Sequence, residues 1–302
     1  MNTLAPTVAT TRDALAAELE DLWRCFDELF ASLGPGDWSR RHGKDWTFAD
    51  VPFHLAYFDR DVIAKGIERG ANVPAEEQRV IRTLTELSAW NGRKFAERPA
   101  GQTPRQSLEQ MRASRDAIRA LVGRMGDGDL GRPAFSPLPG GGWVTVRQAL
   151  EGCIGHTWNH VHQLRLYAKR AAPIPGASAT HRALGFYMNV FSLFVNRQEA
   201  ARTPFTMVMA FTGPGGGVWT FHVASGACVV QEGPVGRADL VMTQRPETFV
   251  KTLAEMHNPM LAMLTGQIRV RGFRKMGTFA KLFPPPKPDT VMEPAGRPAA
   301  VG

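Results

Sequence analysis

The spacing of apolar residues changes along this chain, and that change limits the folds open to it. Leu15, Leu19, Leu22, Phe26, Leu29 and Leu33 recur at steps of 4-3-4-3-4, which is one buried face of a helix. Gly34-Pro35-Gly36 ends it. A second helix is expected from about Thr47, an N-cap candidate, to Gly70, with Val51, Leu55, Phe58 and Val62 inward and Pro52 in the first turn. A third covers about 83–97. A fourth follows Thr103-Pro104, with Leu108, Met111, Ile118, Val122 and Met125 on its stripe. Gly126 to Gly142 reads as a Gly- and Pro-rich loop. A fifth helix runs from about Thr145 to Lys169, striped by Val146, Leu150, Cys153, Thr157, His160, Leu164 and Tyr167. Five helical segments suit a four-helix bundle with one extra element.

Ala171–Gly176 has the composition of a linker, and a helix is expected at about 180–199. Short strand candidates follow: Phe205–Phe211, Val218–Val223, Cys228–Gln231 and Leu240–Thr243, separated by turns such as Gly213–Gly217. Helices are expected at about 246–256 and 259–265, a strand at Ile268–Gly272 and a last helix at Phe273–Phe283. The fold class is therefore α plus α+β. The expected order is a helical bundle over 1–170, a linker at 171–179, a small mixed α/β domain over 180–284 and a disordered Pro-rich tail at 285–302.

No basic stretch followed by an apolar core opens the sequence, and no apolar run reaches the roughly 20 residues of a membrane span. Cys25, Cys153 and Cys228 lack metal-ligand spacing and read as reduced thiols in a cytoplasmic protein. The net charge is +8, and it is uneven: residues 171–302 hold 13 Lys+Arg against 7 Asp+Glu. Arg269, Arg271, Arg274, Lys275 and Lys281 supply much of the excess. Without a recognisable nucleic-acid motif, this reads as a solvated basic face or as attraction for a small anion.

The residues that carry chemistry are histidines. His156 and His160 lie four apart, so both imidazoles leave the same side of their helix. Chance supplies about 0.2 such pairs in a chain with this many histidines, so spacing alone is weak. Helical phase adds more. His160 lies on the apolar stripe, His156 beside it, and His54 on the flank of the second helix's stripe. Three imidazoles facing one interior cost unsatisfied polar groups unless something binds them. His42, His162, His181, His222 and His257 have no comparable arrangement and read as surface or structural. Gln163, which follows His160, is a candidate for orienting a ligand. No Gly-x-x-x-x-Gly-Lys-Ser/Thr loop, paired Cys-x-x-Cys or His-Glu-x-x-His occurs.

Residues about 10–170 resemble DinB-like four-helix bundles, metal-binding and thiol-dependent. The resemblance rests on Trp46-Thr-Phe-Ala-Asp-Val-Pro-Phe-His54-Leu-Ala and on His156-x-x-x-His160-x-x-Gln163. It implies a metal held by His54, His156 and His160: zinc first, with nickel, iron or manganese as alternatives. Residues about 180–284 resemble the sterol-carrier-protein-like domain through Ala238–Thr243, Pro246–Phe249, Asn258–Gly272 and Phe279–Phe283. That implies helices on a small sheet, which can enclose an apolar cavity. The combination is similar to the mycothiol-dependent maleylpyruvate isomerase arrangement. That group commonly has Glu where this chain has His156, which argues against maleylpyruvate itself.

The resemblance implies an enzyme using a low-molecular-weight thiol such as mycothiol, for S-transfer to, or isomerisation of, a small electrophile. Arg269 and Arg271 are candidates, by charge, for holding an anionic substrate or the thiol. Two alternatives stand beside this reading. One is a metal-dependent hydrolase at the same site. The other is a protein that binds lipid or a small apolar ligand and holds a structural metal. Nucleic-acid binding ranks last.

Overall fold

The computed structural model describes residues 10–43, 46–169 and 173–292. Its N-terminal part is helical: α1 (Arg12–Ala31), α2 (Asp50–Tyr57), α3 (Lys65–Arg69), α4 (Leu84–Ala96), α5 (Pro104–Gly123) and α6 (Val146–Ala168). Threonine starts four of these. Thr11, Thr83, Thr103 and Thr145 each accept a hydrogen bond from the backbone N–H three residues on, at 3.1–3.3 Å. Gln106 and Gln148 return the bond to the Thr103 and Thr145 N–H groups, completing capping boxes. Thr47 departs from expectation. It lies in a two-residue strand, β2 (Trp46–Thr47), paired with β1 (Arg41–His42). Its N–H and hydroxyl both donate to the Asp50 carboxylate at 2.7 Å, and the helix starts at Asp50.

α2 and α3 are joined by a π-helical turn, Phe58–Ala64. The wider turn shifts the register after Phe58, so Phe58 and Asp59 are both buried. The loop expected at 126–142 contains an antiparallel hairpin, β3 (Pro133–Ser136) and β4 (Gly142–Thr145). It was hidden because Gly and Pro dominate its turn. α1, α2, α5 and α6 bury their apolar faces together, with Leu15, Leu22, Leu55, Ile118 and Leu150 fully inside. α4 lies outside them and contributes no buried residue.

Residue 170 and residues 171–172 of the expected linker (171–179) lie outside the described residues. α7 (Ala177–Ser192) and α8 (Arg197–Arg202) replace the single helix expected at 180–199. The strands β5 (Phe205–Phe211), β6 (Gly217–Ala224), β7 (Ala227–Glu232), β8 (Leu240–Gln244) and β9 (Arg269–Arg271) form one sheet in the order β7-β6-β5-β8-β9. Only the β5–β8 pair is parallel. α9 (Pro246–Leu253), α10 (Pro259–Leu264) and α11 (Met276–Leu282) complete it.

α7 joins the two parts. Its Arg182 ion-pairs with Glu18 of α1, both buried, and reaches Glu151 of α6 at 3.4 Å. Trp158 donates to Thr180 at 3.2 Å. Gly155 lets α6 and α7 close up: a Cβ there would meet Phe186 at 2.2 Å. One apolar core runs from the helices through α7 into the sheet. The Pro-rich stretch, expected to be disordered from 285, makes contacts with the entry to α4 as far as Met292. Thr85 donates to the Pro288 carbonyl (2.9 Å) and to Asp289 (2.7 Å), and the Met292 N–H donates to the Arg82 carbonyl (2.7 Å). Composition could not show this, because the bonds use backbone and polar groups of α4's entry. Residues 293–302 lie outside the described residues.

Candidate metal centre

His54, on α2, and His156 and His160, on α6, point their Nε2 atoms at one another. His54 and His156 approach to 2.9 Å, and His156 and His160 to 3.2 Å. The possible ligand atoms of all three lie within 4.8 Å of one another. Two nitrogens bound to one tetrahedral zinc at 2.0–2.1 Å would sit about 3.3 Å apart.

Protons alone satisfy this arrangement only through one shared N–H. Tyr57 Oη donates to Asn91 Oδ1 at 2.8 Å, so it accepts from His54 Nδ1 at 2.5 Å. That assigns the His54 proton to Nδ1 and leaves its Nε2 as a lone pair. His156 Nε2 then faces two nitrogens. If it carries a proton, that one N–H is shared between His54 and His160; if it does not, two lone pairs meet at His54. A cation accepts all three lone pairs at once, and the donor set, three neutral imidazoles, suits a divalent ion.

Burial keeps the three rings neutral. It pushes their pKa values well below the usual histidine range, and each ring is further lowered by a neighbouring histidine: His54 by His160, His156 by His54, His160 by His156. The walls are aromatic. Phe58 stacks on His156 with ring centres 3.6 Å apart, and Trp46 lies 4.6 Å from His54. His156 Nδ1 and His160 Nδ1 are buried without a partner among the described residues. Packing therefore orients these two rings, whereas a hydrogen bond orients His54.

The three sequence-predicted ligands are brought together; the accessory residues are not. Gln163 donates to Asn159 at 3.3 Å and so bonds along its own helix. The contact that orients His54 is Tyr57–Asn91, which joins α2 to α4. Tyr57 at three residues after His54 was the available signal, since that spacing shares a helix face. Arg269 and Arg271 are exposed on β9, the sheet edge opposite β7. His42, read as surface or structural, is buried with its ring 6.2 Å from His160 and its pKa pushed down to about 4 by burial. His162 and His181 are also buried. His181 sits against the Gly216 carbonyl at 2.9 Å and Glu232 at 3.1 Å.

The chain's own thiols are held in the neutral form by burial. All three cysteines are free and buried. Burial pushes Cys25 up to about 11, Cys228 to about 12 and Cys153 well above its ordinary value. Cys153 lies 3.6 Å from Asp59, whose pKa burial raises to about 6 against the pull of Arg115.

Two cavities flank the centre. One of about 660 Å³ lies between α6, α7 and the sheet edge; it is lined by Phe58, Gln148, Gly152, Asn189 and Trp219. Phe58 therefore stands between this groove and His156. The other, about 410 Å³, lies between the π-helical turn and α4 and includes Trp90. Neither is lined by the three histidines.

Residues 18–164 match the DinB superfamily model. That stretch is a DinB-like domain. It covers just under half of the chain and contains all three histidines. Among solved structures, the chain is similar to mycothiol-dependent maleylpyruvate isomerase at 10% identity, over 78% of this chain and 87% of that one, with a TM-score of 0.47. It is also similar to the inverting sec-alkylsulfatase Pisa1 from Pseudomonas sp., at 14% identity over 48% of this chain, with a TM-score of 0.31. The chain spans about a quarter of that sulfatase's length (25%). No curated protein sequence matches the chain.

Proposed function

We propose that this protein is a divalent-metal-dependent enzyme that uses an external low-molecular-weight thiol on a small electrophile. The observation that carries the metal is the convergence of three neutral imidazole nitrogens, which protons bridge only through one shared N–H. His54, His156 and His160 would hold the ion. In that position a divalent ion acts as a Lewis acid and lowers the pKa of a bound thiol or water.

The protein's own residues prepare the site. Tyr57, held by Asn91, keeps the His54 proton on Nδ1 and its Nε2 lone pair free. Phe58 and Trp46 wall the rings with apolar surface and keep them neutral. The thiol is the part taken from family resemblance. The state of the cysteines supports it: none of the three supplies a thiolate, so thiol chemistry here needs a molecule from outside. The product is a thioether if the adduct leaves, or an isomer if the thiol is expelled. The groove beside Phe58 is the approach we favour for the electrophile, with the sterol-carrier-like unit forming its far wall.

The test is metal analysis of the purified protein and of His160→Ala, followed by a screen of mycothiol, bacillithiol and glutathione against monobromobimane and a chloronitrobenzene, with and without zinc. Metal in the parent, its loss in the variant and zinc-dependent consumption of one thiol are expected. Bound metal with no thiol consumed, but with turnover of an ester or amide, would make the site a hydrolase. Absence of metal binding by the folded parent would remove the enzyme reading.

A further inference from the structure

The C-terminal domain exposes large apolar side chains where its charge is most positive. On α10, Leu264 is 83% exposed, Leu261 58% and Met260 54%, while Ala262 is the one buried residue of that helix. Phe273, just past β9, is 64% exposed, and Leu253 and Met256 extend the patch toward α9. The Ile268 N–H donates to the Ala262 carbonyl at 3.0 Å, which sets the entry to β9 beside α10. Arg269, Arg271 and Arg274 follow, all exposed and with no ion-pair partner among the described residues. From 246 to 283 the chain carries six Lys and Arg against two Glu.

We propose that α10 and the segment through Lys275 form a peripheral membrane-binding surface whose ligand is an anionic phospholipid bilayer. Met260, Leu261 and Leu264 lie on one side of the helix at i, i+1 and i+4, so they enter the acyl boundary together. The unpaired arginines meet the phosphate and anionic headgroups. The exposed arginines that follow these side chains favour an anionic surface over a neutral apolar one. Surface binding is also distinct from spanning: no described helix is long and apolar enough to cross a membrane.

The experiment is co-sedimentation of the full chain with vesicles of phosphatidylcholine alone and of phosphatidylcholine with phosphatidylglycerol. Three variants are compared with the parent: Leu261→Ser/Leu264→Ser, Arg271→Glu/Arg274→Glu and, as a charge control on α5, Arg105→Glu/Arg112→Glu. Binding to the phosphatidylglycerol vesicles, weakened about tenfold or more by either of the first two variants and little by the third, is expected. Both apolar changes are at exposed sites, and circular dichroism confirms folding. Failure to bind either vesicle would overturn the proposal, as would equal losses in all three variants, which would mean undirected charge attraction. A dimer in analytical ultracentrifugation that the Leu261→Ser/Leu264→Ser change dissociates would also overturn it and make the patch a self-contact. None of these results bears on the metal centre.

Discussion

Tyr57→Phe tests the hydrogen-bond logic of the metal centre with one oxygen atom. The change removes two bonds, His54 Nδ1 to Tyr57 Oη at 2.5 Å and Tyr57 Oη to Asn91 Oδ1 at 2.8 Å, while the ring still packs against Trp90 and Phe95. His54 is buried, so its Nδ1–H has no water to turn to. Leaving such a donor unpaired costs about 1–3 kcal/mol of folding stability. The metal should suffer separately. Without Tyr57, His54 can move its proton to Nε2 and escape the unpaired Nδ1–H, and that tautomer cannot bind an ion. Loss of a partner that orients a ligand histidine typically costs 10–100-fold in metal affinity, or about 1.4–2.7 kcal/mol. Zinc affinity would be read by competition with a chromophoric chelator, and stability by urea denaturation of metal-free protein. Asn91→Ala, which removes only the outer bond, should have the smaller effect on affinity. Zinc affinity within about twofold of the parent, in a Tyr57→Phe protein that has lost stability, would refute the claim that this bond selects the binding tautomer.

Acid should destabilise the metal-free protein through His42 and His162. Burial lowers them from 6.5 to about 4 and about 3, so the unfolded chain takes up protons that the folded chain refuses. Their contribution is present above pH 6.5 and is lost as pH falls toward those values, about 2 kcal/mol each by pH 5. The urea midpoint should fall from pH 7 to pH 5, and His162→Gln should lessen the fall; an unchanged slope would count against it. Gly155→Ala should cost about 1–3 kcal/mol, because its Cβ meets the Phe186 ring at 2.2 Å; a neutral change in thermal denaturation would mean that α6 and α7 part freely. Removing residues 288–302 should speed amide exchange at the start of α4, which loses its bonds to Pro288, Asp289 and Met292, and should leave β5 and β6 unaffected. Equal exchange in α4 would show that the tail does not hold it.

Most of the fold was legible because helix and strand periods are local properties. The stripe from Leu15 to Leu29 is buried in α1, and α5 and α6 begin at Thr103 and Thr145, where the sequence places their starts. β5 spans Phe205–Phe211 as its alternation and flanking turns imply. Three features were not legible, each for its own reason: at Thr47 a local bond to Asp50 competes with capping, in the β3–β4 hairpin a Gly- and Pro-rich turn hides short strands, and the Pro-rich stretch to Met292 bonds to α4's entry, remote in sequence.

At the centre, the sequence alone determined that His156 and His160 share a helix side and that His54 lies on the flank of another stripe, because 3.6-residue periodicity orders side chains around an axis. Only the tertiary structure decided that α2 and α6 bring those sides within 2.9 Å, that Tyr57 and Asn91 set the tautomer, and that Gln163 turns away to Asn159. It also decided that His42 is interior and that α10 stands with its leucines in water. Helical phase states which residues face together. It does not state which helix they will meet, since that depends on how several apolar faces close over one core at once.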